Sequence, residues 1–153
     1  MLWEGTSNIN ALDIVTRAVG KSRAHRTLAG ELQKLLDEAV PIPAAFRNRL
    51  RVALEQTLVF AERVAAEPAL EASARQVASS LYHVTSSILM IREAAQPGAD
   101  ARRALYARFV LEHRLSAQDP LEPSPGDWER EAAEIIFSER QVARAEIAGL
   151  LDS

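Results

Sequence analysis

Apolar residues recur along most of the chain at spacings of three and four, which place them on one face of an α-helix. The clearest run alternates steps of four and three through Leu70, Ala74, Val77, Leu81, Val84, Ile88 and Ile91. This 3.5-residue period is typical of helices packed in antiparallel bundles or coiled coils. Alternation with period two, the pattern of β-strands, is almost absent. The chain is therefore predicted to be all-α, an antiparallel helical bundle of about five to six helices.

Proline and glycine divide this pattern into pieces of helical length. The predicted helices cover residues 7–19, 22–39, 44–66, 68–96, 100–115 and 127–151. Ser7 is expected to cap the first helix and Gly20 to end it. Residues 116–126, which hold three prolines, are predicted to be an exposed crossover. Five residues of the last helix are expected to face inward: Ala132, Ile136, Ala143, Ile147 and Leu150.

Composition narrows the class of protein. The 153 residues are enough for one domain, and 48% hydrophobic with 25% charged residues are globular values. The chain has no cysteine, which excludes disulfides, thiolate metal sites and cysteine nucleophiles. A net charge of −3 argues against a generally basic nucleic-acid-binding surface. No apolar run has the length of a membrane span and the N-terminus lacks the features of a signal peptide, so a cytoplasmic location is expected.

Polar residues with possible chemistry are scattered. His25, His83 and His113 fall on three predicted helices without a second ligand at metal-binding spacing, so no metal site is expected. A polar stripe on the fourth helix is interpreted as a solvated face, with a small polar contact to another helix as the alternative: Ser79, His83, Ser86 and Ser87. Tyr82, Trp128 and the phenylalanines are expected to be core or interface anchors.

Two arginine clusters have the chemistry to meet phosphate, as in CoA or DNA. They are Arg47, Arg49 and Arg51, and Arg17, Arg23 and Arg26. Alternating spacing spreads the first three around a helix instead of aligning them. Surface ion pairs with Glu55, Glu31 and their neighbours are therefore the favoured interpretation.

The opening residues form an unusual string. Trp3-Glu4-Gly5-Thr6-Ser7-Asn8-Ile9 leads directly into the amphipathic run Ala11-Leu12-Asp13-Ile14-Val15-Thr16-Arg17. This string resembles a segment near the end of the flavin-dependent acyl-CoA dehydrogenases, in which an aromatic-Glu-Gly-Thr loop precedes the last helix of the catalytic body. The tryptophan and the Ser-Asn pair look most like the branch of bacterial enzymes related to the AidB protein. Residues 2–20 carry the resemblance, and the remainder resembles the C-terminal helical extension of some members only in length and helicity.

The resemblance implies a division of the chain and a set of roles. Residues 1–21 would end the catalytic body, and residues 22–153 would form the helical extension. Glu4 matches the base that removes the α-proton of the acyl-CoA thioester, a task that suits a carboxylate whose pKa is raised by an apolar site. Trp3, Gly5 and Thr6 match residues near the FAD cofactor or the substrate. The implied partners are the upstream catalytic domains of the same polypeptide and an acyl-CoA substrate.

The departures from the family are equally informative. The parts that cover the flavin and hold the acyl chain have no counterpart in this sequence, and no glycine-rich phosphate loop is present. We therefore expect a C-terminal fragment that is inactive and free of FAD by itself, with a structural role and contacts in a homo-oligomer. An apolar face of the first helix left partly uncovered would promote dimerisation or aggregation. The rival hypothesis is a free-standing, non-enzymatic helical module for protein interaction or nucleic-acid binding.

Overall fold

The computed structural model describes residues 3–117 and 127–152, with the backbone alone for residues 3–6. This part of the chain contains seven α-helices and no strand, so the all-α prediction is confirmed and the helix count exceeds the predicted five to six. The helices are α1 (Trp3–Asp13), α2 (Ala24–Glu38), α3 (Ala44–Ala66), α4 (Ala74–Ala94), α5 (Arg102–Val110), α6 (Asp127–Ile136) and α7 (Arg144–Asp152). π-Helical turns extend α1 (Ile14–Lys21) and α5 (Leu111–Leu115), and a 3₁₀ segment (Pro68–Ser73) precedes α4. Most of the predicted crossover, residues 118–126, lies outside the described residues.

Helix α4 is the centre of the fold. It packs against α3 and α5, and also against α1 and α2. The predicted apolar seam is confirmed, since five of its seven positions are buried and Leu70 and Leu81 are partly buried. The main core around the seam contains large side chains that are less than 2% exposed: Leu36, Phe46, Leu50, Leu54, Ile88, Ile91, Leu105, Ile147 and Leu151.

A short joint connects α2 to α3, whose predicted bounds are confirmed. Ala39 and Ile42 are buried within this joint. The Arg47 guanidinium donates hydrogen bonds to the carbonyl oxygens of Leu36 (3.3 Å) and Ile42 (3.0 Å). The last carbonyl oxygens of a helix have no amide partner within it, and proline has no amide hydrogen to donate. Arg47 supplies the missing donors for one carbonyl of α2 and one of the joint.

The segment after the opening motif contributes to a second, smaller core. Ala11, Val15 and Val19 are buried together with residues of α3 and α4: Ala61, Val64, Ala74 and Val77. The outer side of this segment is open, since Ile9 is 67% exposed. One face of the first helix is thus packed within the chain, and another is not.

The ends of the first helix differ from the prediction. It begins at Trp3 instead of Ser7, and it continues past Gly20 to Lys21. The amide of Ser22 donates to the carbonyl oxygen of Arg17 at 2.8 Å, a π-type bond that carries the helix beyond the glycine. Arg23 follows, directly before α2, and its φ of 53° lies in the left-handed region that non-glycine residues seldom adopt.

The prediction of one helix over residues 127–151 is wrong, because the chain breaks between α6 and α7. The Arg102 guanidinium donates hydrogen bonds to the carbonyl oxygen of Ile136, at the end of α6, and to that of Arg140, just beyond it. The carbonyl oxygen of Val142 accepts from the amide of Ala101 at 3.0 Å, which anchors the break to the start of α5. Val142 is therefore buried, whereas the predicted inward residue Ala143 is exposed.

The packing predicts a large difference between two Ile→Ala substitutions. Ile88→Ala removes a fully buried side chain from the seam and should lower the free energy of unfolding by about 2–5 kcal/mol. Ile9→Ala is the matched control, because Ile9 is 67% exposed, and should change it by less than about 0.5 kcal/mol. Urea unfolding followed by circular dichroism measures both values. Equal losses in the two variants would contradict the assignment of the seam.

Candidate functional site

The motif residues lie in the first turns of α1. The backbone of Trp3, Glu4, Gly5 and Thr6 is helical, so the prediction of a loop ahead of the helix is wrong. Residues 3–13 contain no proline, and the helix is free to extend back through the motif. The side chains of these four residues lie outside the described part of the structure, so the catalytic role of Glu4 and the cofactor contacts of the other three stay predictions.

The described residues form an apolar groove of about 580 Å³. It lies between the π-helical turn after α1, the start of α2 and the middle of α4. The twelve residues that line it include no Asp, Glu, Lys or Arg: Ile14, Ala18, Val19, Ala24, His25, Leu28, Ala78, Leu81, Tyr82, Thr85, Ser86 and Leu89. The groove therefore suits an apolar occupant, and three residues of α4 add hydroxyl groups to its lining: Tyr82, Thr85 and Ser86.

Helix packing explains why the groove is open. Arg23, with its left-handed backbone, separates the π-helical turn after α1 from α2, and both elements contact α4. The surface of α4 between them remains uncovered. Three large apolar side chains are consequently exposed here, Leu28 to 39%, Tyr82 to 68% and Leu89 to 45%. Exposed apolar side chains grouped in this way mark surfaces of interaction.

His25 separates the groove from a polar pocket of about 250 Å³. Its side chain is 3% exposed, and its Nε2 lies 2.9 Å from Oε1 of Glu62. Nε of Arg26 donates to the same oxygen at 2.9 Å. The hydrogen bond with His25, and then that with Arg26, lower the pKa of Glu62 to about 2. Nδ1 of His25 is buried and has no hydrogen-bond partner among the described residues.

A second group of charged residues fixes α6 on the bundle. The Arg108 guanidinium lies over the Trp128 ring at 3.9 Å from its centroid, a cation–π contact between α5 and α6. Arg49 of α3 and Glu112 form an ion pair at 2.6 Å. Burial lowers the pKa of Arg108. This group was missed by the sequence reasoning, and the only signal for it was the four-residue spacing of Arg108 and Glu112.

Four of the six clustered arginines form ion pairs, as predicted, but with carboxylates other than Glu55 and Glu31: Arg17, Arg26, Arg49 and Arg51. Arg49 pairs with Glu112 instead of a neighbour on its own helix, and Arg51 pairs with Asp37 at 2.8 Å. Glu31 pairs with Lys34. The three histidines lie on separate elements, and no group of three ligands able to hold a metal ion occurs in the ranges described. No described helix combines the length and apolar character needed to cross a membrane.

The aromatic and polar residues singled out on the sequence divide between core and surface. Phe46 is fully buried, as expected of a core anchor, whereas Phe137 is 84% exposed. Ser87, assigned to a solvated face, is also fully buried, and its hydroxyl donates to the carbonyl oxygen of His83 at 2.9 Å. Local bonding of this kind satisfies a buried serine without any partner helix.

No protein-family model, curated protein or solved structure matches this chain. Two features of the chain itself therefore bear on its function. One is the string from Trp3 to Arg17, and the other is the uncharged groove beside α4.

The low pKa of Glu62 predicts a change in acid stability. Since its pKa is about 4.5 in the unfolded chain and about 2 in the folded protein, the unfolded state binds more protons in this interval. The stabilisation is complete above about pH 4.5 and is lost as the pH falls towards 2. Glu62→Gln should therefore be less stable than the parent at neutral pH, with the difference shrinking over this window.

Urea unfolding at a series of pH values measures this difference. Glu55→Gln changes an exposed carboxylate of the same helix and should stay within about 0.5 kcal/mol of the parent. A difference between parent and Glu62→Gln that is constant from pH 7 to the acid limit would refute the pairing of Glu62 with His25 and Arg26.

Proposed function

We propose that this chain is the C-terminal helical part of a FAD-dependent acyl-CoA dehydrogenase-like protein and that its own role is mainly structural. The observation that carries the proposal is the resemblance of residues 2–20 to the end of that family's catalytic body. In the whole protein, the reaction would be α,β-dehydrogenation of an acyl-CoA thioester.

The packing of the first helix supports a structural role. Ala11, Val15 and Val19 share a buried core with α3 and α4, so the segment that follows the motif is tied to the bundle. The packing of this helix on the bundle therefore also supports the motif at its start. The exposed outer side, with Ile9 67% exposed, leaves room for contact with catalytic domains upstream.

The groove beside α4 lacks the charged lining expected of a flavin site. FAD carries a pyrophosphate, which proteins bind with cationic side chains or with a glycine-rich helix N-terminus. The groove is lined by no lysine or arginine, and the sequence has no glycine-rich phosphate loop. In this proposal FAD and the acyl-CoA substrate are therefore held by the upstream domains. Glu4 takes the position of the catalytic base, and Trp3, Gly5 and Thr6 border the cofactor.

The second candidate is a free-standing, non-enzymatic helical module for protein interaction or nucleic-acid binding. The uncharged groove and the exposed Tyr82 favour it, because such surfaces bind other proteins. Nucleic-acid binding has less support, since Arg17, Arg26, Arg49 and Arg51 are engaged by carboxylates of the chain.

The two candidates predict different sizes for the native product. An antibody against residues 22–153, applied to an extract of the source cell, should detect a protein several times larger than the 16.8 kDa of this chain. A single product near 16.8 kDa would instead support the interaction module.

The proposal also predicts the effect of one substitution in the whole protein. Glu4→Gln should reduce the rate of acyl-CoA dehydrogenation by about 10²–10⁴-fold, the usual contribution of a general base. Bound FAD, followed by its visible absorbance, should be unchanged. Glu31→Gln is the control, because Glu31 is an exposed carboxylate on α2. An unaltered rate in Glu4→Gln would remove Glu4 from the catalytic role.

A further inference from the structure

Helix α4 carries a second stripe at the same spacing as its buried seam. Its members follow one another in steps of four and three along the outer side of the helix: Arg75, Ser79, Tyr82, Ser86, Leu89 and Glu93. All are exposed except Ser86, which is half-buried. A 3.5-residue repeat facing solvent has the period of a seam between two packed helices. The stripe therefore has the form of a helix-packing surface that no helix of the described residues covers. It is bordered by Ser7 and Ala11 of α1 and by Leu28 of α2.

The stripe is complementary to itself in the antiparallel direction. A twofold axis level with residue 84 pairs Arg75 with Glu93 of a second copy, and Glu93 with its Arg75. The same axis pairs Tyr82 with Ser86 and Leu89 with Ser79, so each large side chain meets a small one. Opposite charges at the ends and alternation of size in the middle are both expected of an isologous contact, in which residue i meets j and j meets i.

The charges at the two ends of the stripe interact unfavourably with the dipole of their own helix. Arg75 lies in the first turn of α4 and Glu93 in its last turn. A cation is disfavoured at a helix N-terminus and an anion at a C-terminus. In an antiparallel pair each charge instead meets an opposite charge of the second helix. Glu93 keeps room for this contact, since it pairs with Arg103 at 2.9 Å but remains 58% exposed.

The stripe is continuous with the apolar groove. Tyr82, Ser86 and Leu89 belong to both. A second copy that covers the stripe would therefore also remove the exposed parts of Tyr82 and Leu89 from water. This burial of apolar surface adds a hydrophobic contribution to dimerisation that a purely polar contact would lack.

We propose that the outer stripe of α4 is a homodimer interface, in which two copies of this chain pack their α4 helices antiparallel about a twofold axis level with residue 84. The occupant of this surface is a second copy of the chain. The interface depends only on residues of α4 and holds whether or not the chain is part of a flavoenzyme.

Charge reversal tests the contact. Arg75→Glu and Glu93→Arg each bring like charges together, and each should weaken dimerisation of the 153-residue chain by about tenfold or more at low salt. The double variant restores opposite charges and should recover most of the parent affinity. Its recovery would come from contact between copies, because the pair of Glu93 with Arg103 stays broken in it. Sedimentation equilibrium measures the dissociation constants.

A matched control separates this effect from general changes in charge. Arg63→Glu reverses an exposed arginine of α3, outside the stripe, and should dimerise like the parent. Circular dichroism should show that the four variants have the same helical content as the parent. A parent chain that stays monomeric at about 1 mM would overturn the proposal, as would a double variant no tighter than the single ones.

Cysteine cross-linking tests the relative direction of the two α4 helices. Because the sequence has no cysteine, only the introduced residues can form disulfides. The double variant Ser79→Cys, Leu89→Cys should form disulfide-linked dimers under mild oxidation, because the two positions face each other. Ser79→Cys alone should not, since the two copies of residue 79 are separated by about 15 Å along the helix axes. Efficient cross-linking of the single variant would indicate a parallel pair and overturn the proposed geometry.

Discussion

Burial of the inner seam of α4 organises this protein. The seam of α4 places a side chain inward every 3.5 residues on average, and α1, α2, α3 and α5 all pack against this helix. Residues such as Val77, Val84 and Ile88 are fully buried and leave no space for water. The short neighbouring helices depend on this packing, because isolated helices of 9–11 residues are marginal in water.

The same helix also explains where the surface is unusual. Its inner seam is satisfied within the chain, whereas its outer stripe and the groove beside it keep Tyr82 and Leu89 exposed. A helix that is apolar on one face and solvated on the other would show charged residues along the outer face. Here the charges, Arg75 and Glu93, are confined to the two ends of the stripe, with hydroxyls and apolar groups between them. This distribution connects the interior packing of the bundle with its proposed assembly.

Electrostatic contacts perform a separate task, which is to fix the joints and the peripheral helices. Arg47 donates a hydrogen bond to a carbonyl oxygen of the α2–α3 joint, and Arg102 donates one to a carbonyl oxygen at the end of α6. Arg108 and Trp128 hold α6 against α5. Guanidinium groups suit this role because several donors in one plane reach carbonyl, carboxylate and aromatic partners at once. Many arginines of the chain thus have a structural role within it.

The sequence by itself determined the helical class, the bounds of α3 and the seam of α4, because these depend on local periodicity and on proline and glycine. It also contained the motif around Glu4, whose role stays a prediction. Tertiary contacts alone decided the break after Ile136, since Arg102 and Ala101 are distant in sequence from the groups that they bind. They likewise decided the partners of Arg49 and Arg51, because ion pairs between helices depend on how the helices are packed. The groove has the same origin, because its lining comes from three elements that are separate in the sequence: the π-helical turn after α1, the start of α2 and the middle of α4.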